Sequence, residues 1–97
     1  MMLEVIVTPT FAKALKKLHP KQKMVVDKAV KAIATDTTIG EEKKGDLAAI
    51  FVHKFKFNKQ EVLLAYQLRP NRIAPVSVLL LSIGSHENFY TELKRQN

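Results

Sequence analysis

Two lysines, Lys54 and Lys56, have the clearest chemical potential in this sequence. They lie in the segment FVHKFKF (residues 51–57), where phenylalanines and a histidine occupy every second position. A period of two is typical of a β-strand, whose side chains alternate between its two faces. With a rise of roughly 3.3 Å per residue, the two lysine side chains start about 7 Å apart on the same face. Alternation alone favours surface lysines that promote solubility, and a pair that acts on an anion is the alternative.

A second group of candidate residues follows the last predicted strand. His86 comes directly after Ile83-Gly84-Ser85, where the strand gives way to a predicted C-terminal helix. The positive end of that helix would favour a neutral imidazole that can accept a proton. Tyr90 is four residues further on, and therefore lies on the same helical face. Two interpretations are open at this point: a catalytic pair, or a tyrosine that packs the helix and a histidine that only caps it.

The remaining residues form no metal or cofactor motif. His53 alternates with phenylalanines, so a partly buried histidine bonded to a backbone group is the simpler interpretation, and a catalytic role is the alternative. The sequence has no cysteine, no P-loop and no dinucleotide-binding fingerprint, and its three histidines lack the spacing of metal ligands. We therefore expect neither a metal ion nor a cofactor.

A basic face beside a neutral imidazole suits the cleavage of a phosphodiester. Cations stabilise the extra negative charge of the phosphorane, and an imidazole or a lysine can transfer the protons. RNA suits such a site better than DNA, because its own 2′-hydroxyl group serves as the nucleophile.

The composition also indicates an anionic partner. The 97-residue chain carries 16 Lys and Arg against 9 Asp and Glu, a formal net charge of +7. This excess points first to nucleic acid and then to an acidic protein. The length and the 46% of hydrophobic residues predict a single domain over residues 1–97. No segment has the pattern of a signal peptide or a membrane span, so we expect a cytoplasmic protein without membrane contact.

The predicted elements follow the order β-α-α-β-β-β-α. Leu3 to Val7 is a short strand, and Thr8 caps a first helix that starts at Pro9. The other predicted elements are a helix over 20–34, a loop over 35–46, strands over 51–57, 62–69 and 76–84, a turn over 58–61 and a C-terminal helix capped by Ser85. These elements predict an α+β fold, in which a helical hairpin packs on a twisted, mainly antiparallel, four-stranded sheet.

Several stretches of the sequence resemble the RelE/ParE superfamily of bacterial type II toxins. They are Gly45-Asp46-Leu47, VHKFKF (52–57), LLAYQL (63–68) and IGSHENFYTELKR (83–95). The resemblance implies a RelE-like fold. RelE-like members are ribonucleases that enter the ribosomal A site and cleave the bound messenger RNA, whereas ParE-like members poison DNA gyrase. Both are inhibited by an antitoxin encoded beside them, which implies an acidic antitoxin and a toxin–antitoxin hetero-oligomer for this chain.

The same resemblance gives individual residues a role. Lys54 and Lys56 match the lysine pair of RelE-type enzymes, and Tyr90 matches their tyrosine near the C-terminus. His86 takes the place of a catalytic arginine and is similar to the histidine of the YafQ-type ribonucleases, which share a glycine, one residue and then histidine. These four residues are the expected catalytic set.

The sequence departs from the RelE-type pattern on the strand after the lysine pair. The arginine that those enzymes carry there is Leu63 in this chain. Arg69 or Arg72 would then have to supply a cation from the end of the strand, and His53 matches a further histidine of the YafQ-type enzymes. The substrate-binding residues expected from this comparison are His53, Arg69 and Arg72.

Three functions are consistent with these observations. The first is a toxin that cleaves messenger RNA on the ribosome as a metal-independent endoribonuclease and thereby inhibits translation. The second is an inhibitor of DNA gyrase without nuclease activity. The third is a catalytically inactive member that binds an antitoxin or a nucleic acid through electrostatics alone, with a steep dependence on salt.

Overall fold

The computed structural model describes residues 3–43 and 49–85, which form two helices and a five-stranded mixed sheet. The elements are β1 (Glu4–Val7), α1 (Pro9–Lys16), α2 (Pro20–Thr35), β2 (Glu41–Glu42), β3 (Ile50–Phe57), β4 (Gln60–Arg69) and β5 (Ser77–Ser85). The strand order in the sheet is β1-β5-β4-β3-β2, with β1 parallel to β5 and the other neighbours antiparallel. Neither described helix is long and apolar enough to cross a membrane. The predicted α+β class is confirmed.

Two details of the predicted architecture change. The sheet has five strands instead of four, because Glu41–Glu42 pairs with Phe51 and Val52 on β3, inside the segment predicted as a loop. A pair of glutamates has no apolar alternation, so the sequence pattern does not indicate this short strand. The C-terminal helix predicted after Ser85 lies outside the described residues.

Both helices begin at a side-chain cap. Thr8 caps α1 as predicted: its hydroxyl accepts a hydrogen bond from the first turn of the helix at 3.2 Å and donates one to the Leu80 carbonyl at 2.8 Å. His19 caps α2, although the sequence indicated only a residue before proline. Its ring Nδ1 accepts a hydrogen bond from the backbone N–H of Lys21 at 3.3 Å, and the backbone N–H of His19 donates one to the Gln22 side chain at 3.2 Å. These bonds satisfy polar groups that have no partner within a helix.

The helices cover one face of the sheet. Phe11 from α1 and Val26 and Ile33 from α2 pack there with Tyr66 and Leu80, and none of the five is more than 4% exposed. Burying each of these larger side chains contributes about 1.5–3 kcal/mol, which holds the helices on the sheet. The opposite face is therefore the one on which a site on β3 can be built.

A tight hairpin joins β3 to β4. Its turn consists only of Asn58 and Lys59, which have positive φ angles of 49° and 68°. Positive φ at both central residues is typical of a type I′ turn, whose twist matches that of the flanking strands. The four-residue turn predicted over 58–61 is too long, and β4 begins at Gln60 instead of Val62. Both strands are paired up to the turn, as far as Phe57 and Gln60, and this pairing fixes the residues beside Lys56.

Candidate functional site

The two faces of β3 differ as the sequence predicts. Phe55 is partly buried and packs with the core beneath the helices. Lys54 and Lys56 alternate with it and are exposed on the opposite face. Within residues 3–43 and 49–85, neither lysine has an acidic side chain at ion-pair distance. No carboxylate of this part of the chain therefore neutralises the pair.

The cross-strand neighbours of the lysines are unlike each other. Leu63 on β4 lies directly opposite Lys54, and Glu61 lies directly opposite Lys56. Leu63 is fully buried in a second apolar cluster on this side of the sheet, whereas Glu61 is exposed. The other buried members of this cluster are Ile50, Val52 and Ala65. Lys54 thus has a buried apolar residue opposite it, and Lys56 has an exposed carboxylate opposite it. The sequence pattern did not indicate this carboxylate as a neighbour of the pair.

The two candidate arginines lie away from the lysines. Arg69 ends β4, six positions after Leu63, which corresponds to about 20 Å along an antiparallel strand. Arg72 lies in the connection to β5, where its guanidinium pairs with the carboxylate of Glu42 on β2. The distance of about 20 Å between Leu63 and Arg69 is several times the length of an arginine side chain. The structure therefore does not bring Arg69 or Arg72 to the position that Leu63 occupies.

His53 faces the helices instead of the lysines. It lies opposite Leu64, a core residue, and its ring stacks on Phe55 with centroids 5.7 Å apart. Partial burial lowers the pKa of the imidazole, because loss of water disfavours its charged form. The predicted hydrogen bond to a backbone group is absent among the described residues. The side chain of His53 therefore lies on the opposite face of β3 from the side chains of Lys54 and Lys56.

The other two expected catalytic residues, His86 and Tyr90, lie outside the described residues. The last described positions of β5 are Gly84, opposite Leu63, and Ser85, opposite Val62. Since Leu63 is itself opposite Lys54, the residues Gly84, Leu63 and Lys54 form one row across three strands. The last residues of β5 therefore lie in and next to the row that contains Lys54.

Tyr66 anchors the segment between α2 and β2, a role that the sequence pattern does not indicate. Its ring is fully buried and stacks on Phe51 with centroids 5.4 Å apart. Its hydroxyl donates to the Thr37 carbonyl at 2.8 Å and accepts from the Gly40 N–H at 3.0 Å. A Cβ atom at Gly40 would lie 2.7 Å from Cε1 of Tyr66, so this close approach requires glycine. Burial raises the pKa of the Tyr66 hydroxyl, which keeps it protonated as a hydrogen-bond donor.

The chemistry that this arrangement supports is electrostatic. Two ammonium groups on a rigid strand can bind adjacent phosphates and stabilise negative charge that develops between them. Within residues 3–43 and 49–85, no cluster of three or more histidine, aspartate or glutamate side chains is arranged to hold a metal ion. The described part of the site therefore offers positive charge and ammonium groups that can donate a proton, and a general base has to come from another group.

The fold is similar to that of several solved toxin structures. A chain of the RelBE2 toxin–antitoxin complex from Mycobacterium tuberculosis has a TM-score of 0.73 and 20% identity, over 89% of this chain and 100% of that chain. A doubly substituted RelE toxin from E. coli, in the free state, has a TM-score of 0.73 and 19% identity, over 99% and 98%. A chain of the intact E. coli RelBE complex has a TM-score of 0.67 and 19% identity, over 88% and 98%. At these identities the likeness shows the fold.

Sequence comparison identifies the family. Among curated proteins, none matches this sequence. The sequence profile of ParE-like toxins of type II bacterial toxin–antitoxin systems matches residues 5–94, which include every candidate site residue. The match covers nearly the whole chain, and it agrees with the fold. The chain belongs to the ParE-like toxin family of type II bacterial toxin–antitoxin systems.

Proposed function

We propose that this toxin cleaves messenger RNA on the ribosome as a metal-independent endoribonuclease and is inhibited by an acidic antitoxin. The observation that carries the proposal is the lysine pair of β3. Lys54 and Lys56 are exposed on one face of a well-packed strand, and no described acidic group neutralises them at ion-pair distance. They also match the lysine pair of RelE-type ribonucleases in sequence position.

In this mechanism the RNA supplies its own nucleophile. Lys54 and Lys56 bind the phosphates around the scissile bond and stabilise the additional charge of the transition state. The 2′-hydroxyl oxygen attacks the adjacent phosphorus, and the bond to the 5′-oxygen of the next nucleotide breaks. His86 accepts the proton of the 2′-hydroxyl group, and Tyr90 orients the scissile nucleotide. A lysine of the pair returns a proton to the departing 5′-oxygen.

The leucine at position 63 limits the rate of this reaction. Because Leu63 is buried and uncharged, stabilisation of the transition state rests on the two lysines and on the proton-transfer groups. Loss of one preorganised donor typically reduces the rate by roughly 10²–10³-fold. We therefore expect slower cleavage than in an enzyme that carries an arginine at this position.

Inhibition of DNA gyrase is the second candidate function. The matching family profile is that of ParE-like toxins, and the absence of an arginine at Leu63 is consistent with a member that has no nuclease site. In this alternative, the lysine face binds a protein surface. Binding would then depend on charge, while RNA in the same assay stays intact.

Two assays with purified components separate these functions. The first measures cleavage of messenger RNA on ribosomes, and the second measures supercoiling by gyrase. In the first, we expect the triple variant Lys54→Ala, Lys56→Ala, His86→Ala to lose at least about 10²-fold in cleavage rate. The control variant, Lys21→Ala with Lys28→Ala, removes two exposed charges from α2 and should cleave like the wild type. If the triple variant cleaves RNA as fast as the wild type, the mechanism is wrong. If the wild-type protein blocks supercoiling by gyrase and leaves RNA intact, its function is inhibition of gyrase.

A further inference from the structure

A cleft of about 420 Å³ opens at the end of the sheet opposite the β3–β4 turn. Phe51, Leu68 and Pro70 provide its apolar lining, and Arg69 and Arg72 stand at its rim. Arg69 at its rim lies about 20 Å along β4 from Leu63, the residue opposite Lys54. Phe51 in its lining lies on the face of β3 that packs against the helices, opposite to the face of the two lysines. It is therefore separate from the proposed cleavage site.

The two arginines give the cleft a preference for carboxylates. Arg72 already holds one, because its guanidinium pairs with Glu42 at the cleft wall. Arg69 is exposed and has no acidic partner among the described residues. Guanidinium groups bind carboxylates through paired hydrogen bonds and lose less hydration than an ammonium group does. A second carboxylate, from another molecule, would complete the site at Arg69.

The loop above the cleft, residues 70–76, is held in shape by its own hydrogen bonds. The Asn71 side chain accepts from the N–H groups of Ile73 and Ala74, both at 3.0 Å. The Val76 N–H donates to the Arg69 carbonyl at 2.7 Å and closes the loop. A partner that docks here does not have to order the loop, which reduces the entropic cost of binding.

The same loop presents two apolar side chains to solvent. Ile73 is 87% exposed and Val76 is 68% exposed. Exposed apolar patches with a polar rim mark protein docking sites, and arginine is enriched in protein interfaces. Single-stranded RNA would instead need exposed aromatic rings to stack on, and Phe51, the aromatic residue that lines the cleft, is only 8% exposed. The chemistry of this surface favours a protein segment over RNA.

We infer that the loop of residues 70–76 and its cleft bind a segment of the acidic antitoxin. The segment places an aliphatic or aromatic side chain against Ile73 and a carboxylate on Arg69. A second copy of this chain is a poor occupant, because two proteins with a formal net charge of +7 repel each other. An acidic partner is attracted by the same charge and associates faster. This inference rests on the antitoxin partner of the proposed function and does not depend on RNA cleavage.

The test measures the Kd between this toxin and the small protein encoded beside its gene. Arg69→Glu and Ile73→Asp should each weaken binding by about tenfold or more, mainly through faster dissociation. Two control variants make the same chemical changes on exposed positions of α2: Lys28→Glu reverses a charge, and Met24→Asp replaces an aliphatic side chain that is 65% exposed. Each control should change the Kd by less than about threefold.

Several outcomes would overturn the inference. Wild-type affinity in both docking variants, or equal losses in the control variants, would show that this loop is not the binding surface. Weaker RNA binding by Arg69→Glu with unchanged antitoxin affinity would assign the arginine to the substrate. If the wild-type toxin does not bind the neighbouring protein at all, the antitoxin partner is wrong, whereas the ribosome assay still reports on cleavage independently. Melting temperatures establish that each variant is folded before its Kd is interpreted.

Discussion

Lys54 and Leu63 lie directly opposite each other on β3 and β4, and one is exposed while the other is fully buried. Opposite residues of an antiparallel pair have their Cβ atoms about 5 Å apart, so Leu63 forms the immediate surroundings of Lys54. An apolar neighbour excludes water and lowers the local dielectric constant, which strengthens the attraction between a lysine and a phosphate. Leu63 therefore offers Lys54 an apolar neighbour and no charge.

Replacing Leu63 with arginine should not create a RelE-type site. The guanidinium would be buried in the apolar cluster without a carboxylate, and we expect the free energy of unfolding to fall by about 3–5 kcal/mol. Leu63→Met, which nearly conserves volume, should cost less than about 1.5 kcal/mol. Urea denaturation followed by circular dichroism measures both values. A stable arginine variant that cleaves RNA faster than the wild type would show that the position has room for a cation.

Local sequence rules were sufficient for much of the fold. Alternation over 51–57 correctly predicts the two faces of β3, because the side-chain period of a strand is independent of its neighbours. Thr8 before Pro9 correctly predicts a cap, because that interaction spans only one turn of helix. Glu41–Glu42 is different, since it becomes a strand only through pairing with β3, and nothing in its own pattern indicates this contact.

Less of the candidate site than of the fold could be predicted from the sequence. The distance from Leu63 to Arg69 follows from strand rise alone and could have been calculated. The pairing of Arg72 with Glu42 could not, because the two residues are 30 positions apart and meet only through β2. The hydrogen bonds of Tyr66 to Thr37 and Gly40 have the same origin in tertiary structure.

Tyr66→Phe tests how strongly this buried hydroxyl holds the segment between α2 and β2. The substitution leaves the Thr37 carbonyl and the Gly40 N–H without their partner, and we expect a loss of about 1–2 kcal/mol in the free energy of unfolding. Thr35→Ala serves as the control, because it removes an exposed hydroxyl that bonds to the Lys31 carbonyl. The control should stay within about 0.5 kcal/mol of the wild type in the same denaturation experiment. Equal losses would mean that burial adds nothing to the Tyr66 bonds.

His53 should make the stability of the fold depend on pH. Burial lowers its pKa in the folded protein below the ordinary value of 6.5, so the unfolded chain binds the proton more readily. The stability that neutral His53 provides is therefore complete above about pH 6.5 and is lost as the pH falls through the folded-state pKa. His53→Phe keeps an aromatic ring against Phe55, and the part of the stability loss at low pH that comes from His53 should disappear. Melting temperatures of both proteins between about pH 8 and pH 5 measure the difference, and parallel profiles would rule out His53 as the cause.

Glu61 should weaken the binding of RNA at the lysine pair. Its exposed carboxylate lies opposite Lys56, and it lowers the positive potential that attracts a phosphate. We expect Glu61→Gln to tighten RNA binding by about two- to fivefold at low salt, with a gain that declines as salt screens the charges. Fluorescence anisotropy with a labelled single-stranded RNA measures this affinity.

Glu4→Gln on β1 is the matched control, because it changes the net charge by the same amount on an edge strand that β5 separates from β4. If both variants tighten binding equally, only the net charge matters, and the RNA does not lie on Lys56. If Glu61→Gln binds RNA more tightly but cleaves it more slowly, the carboxylate takes part in proton transfer and the role assigned to His86 has to be shared. Tighter binding with unchanged or faster cleavage, seen only for Glu61→Gln, is the result that places the phosphate beside Lys56.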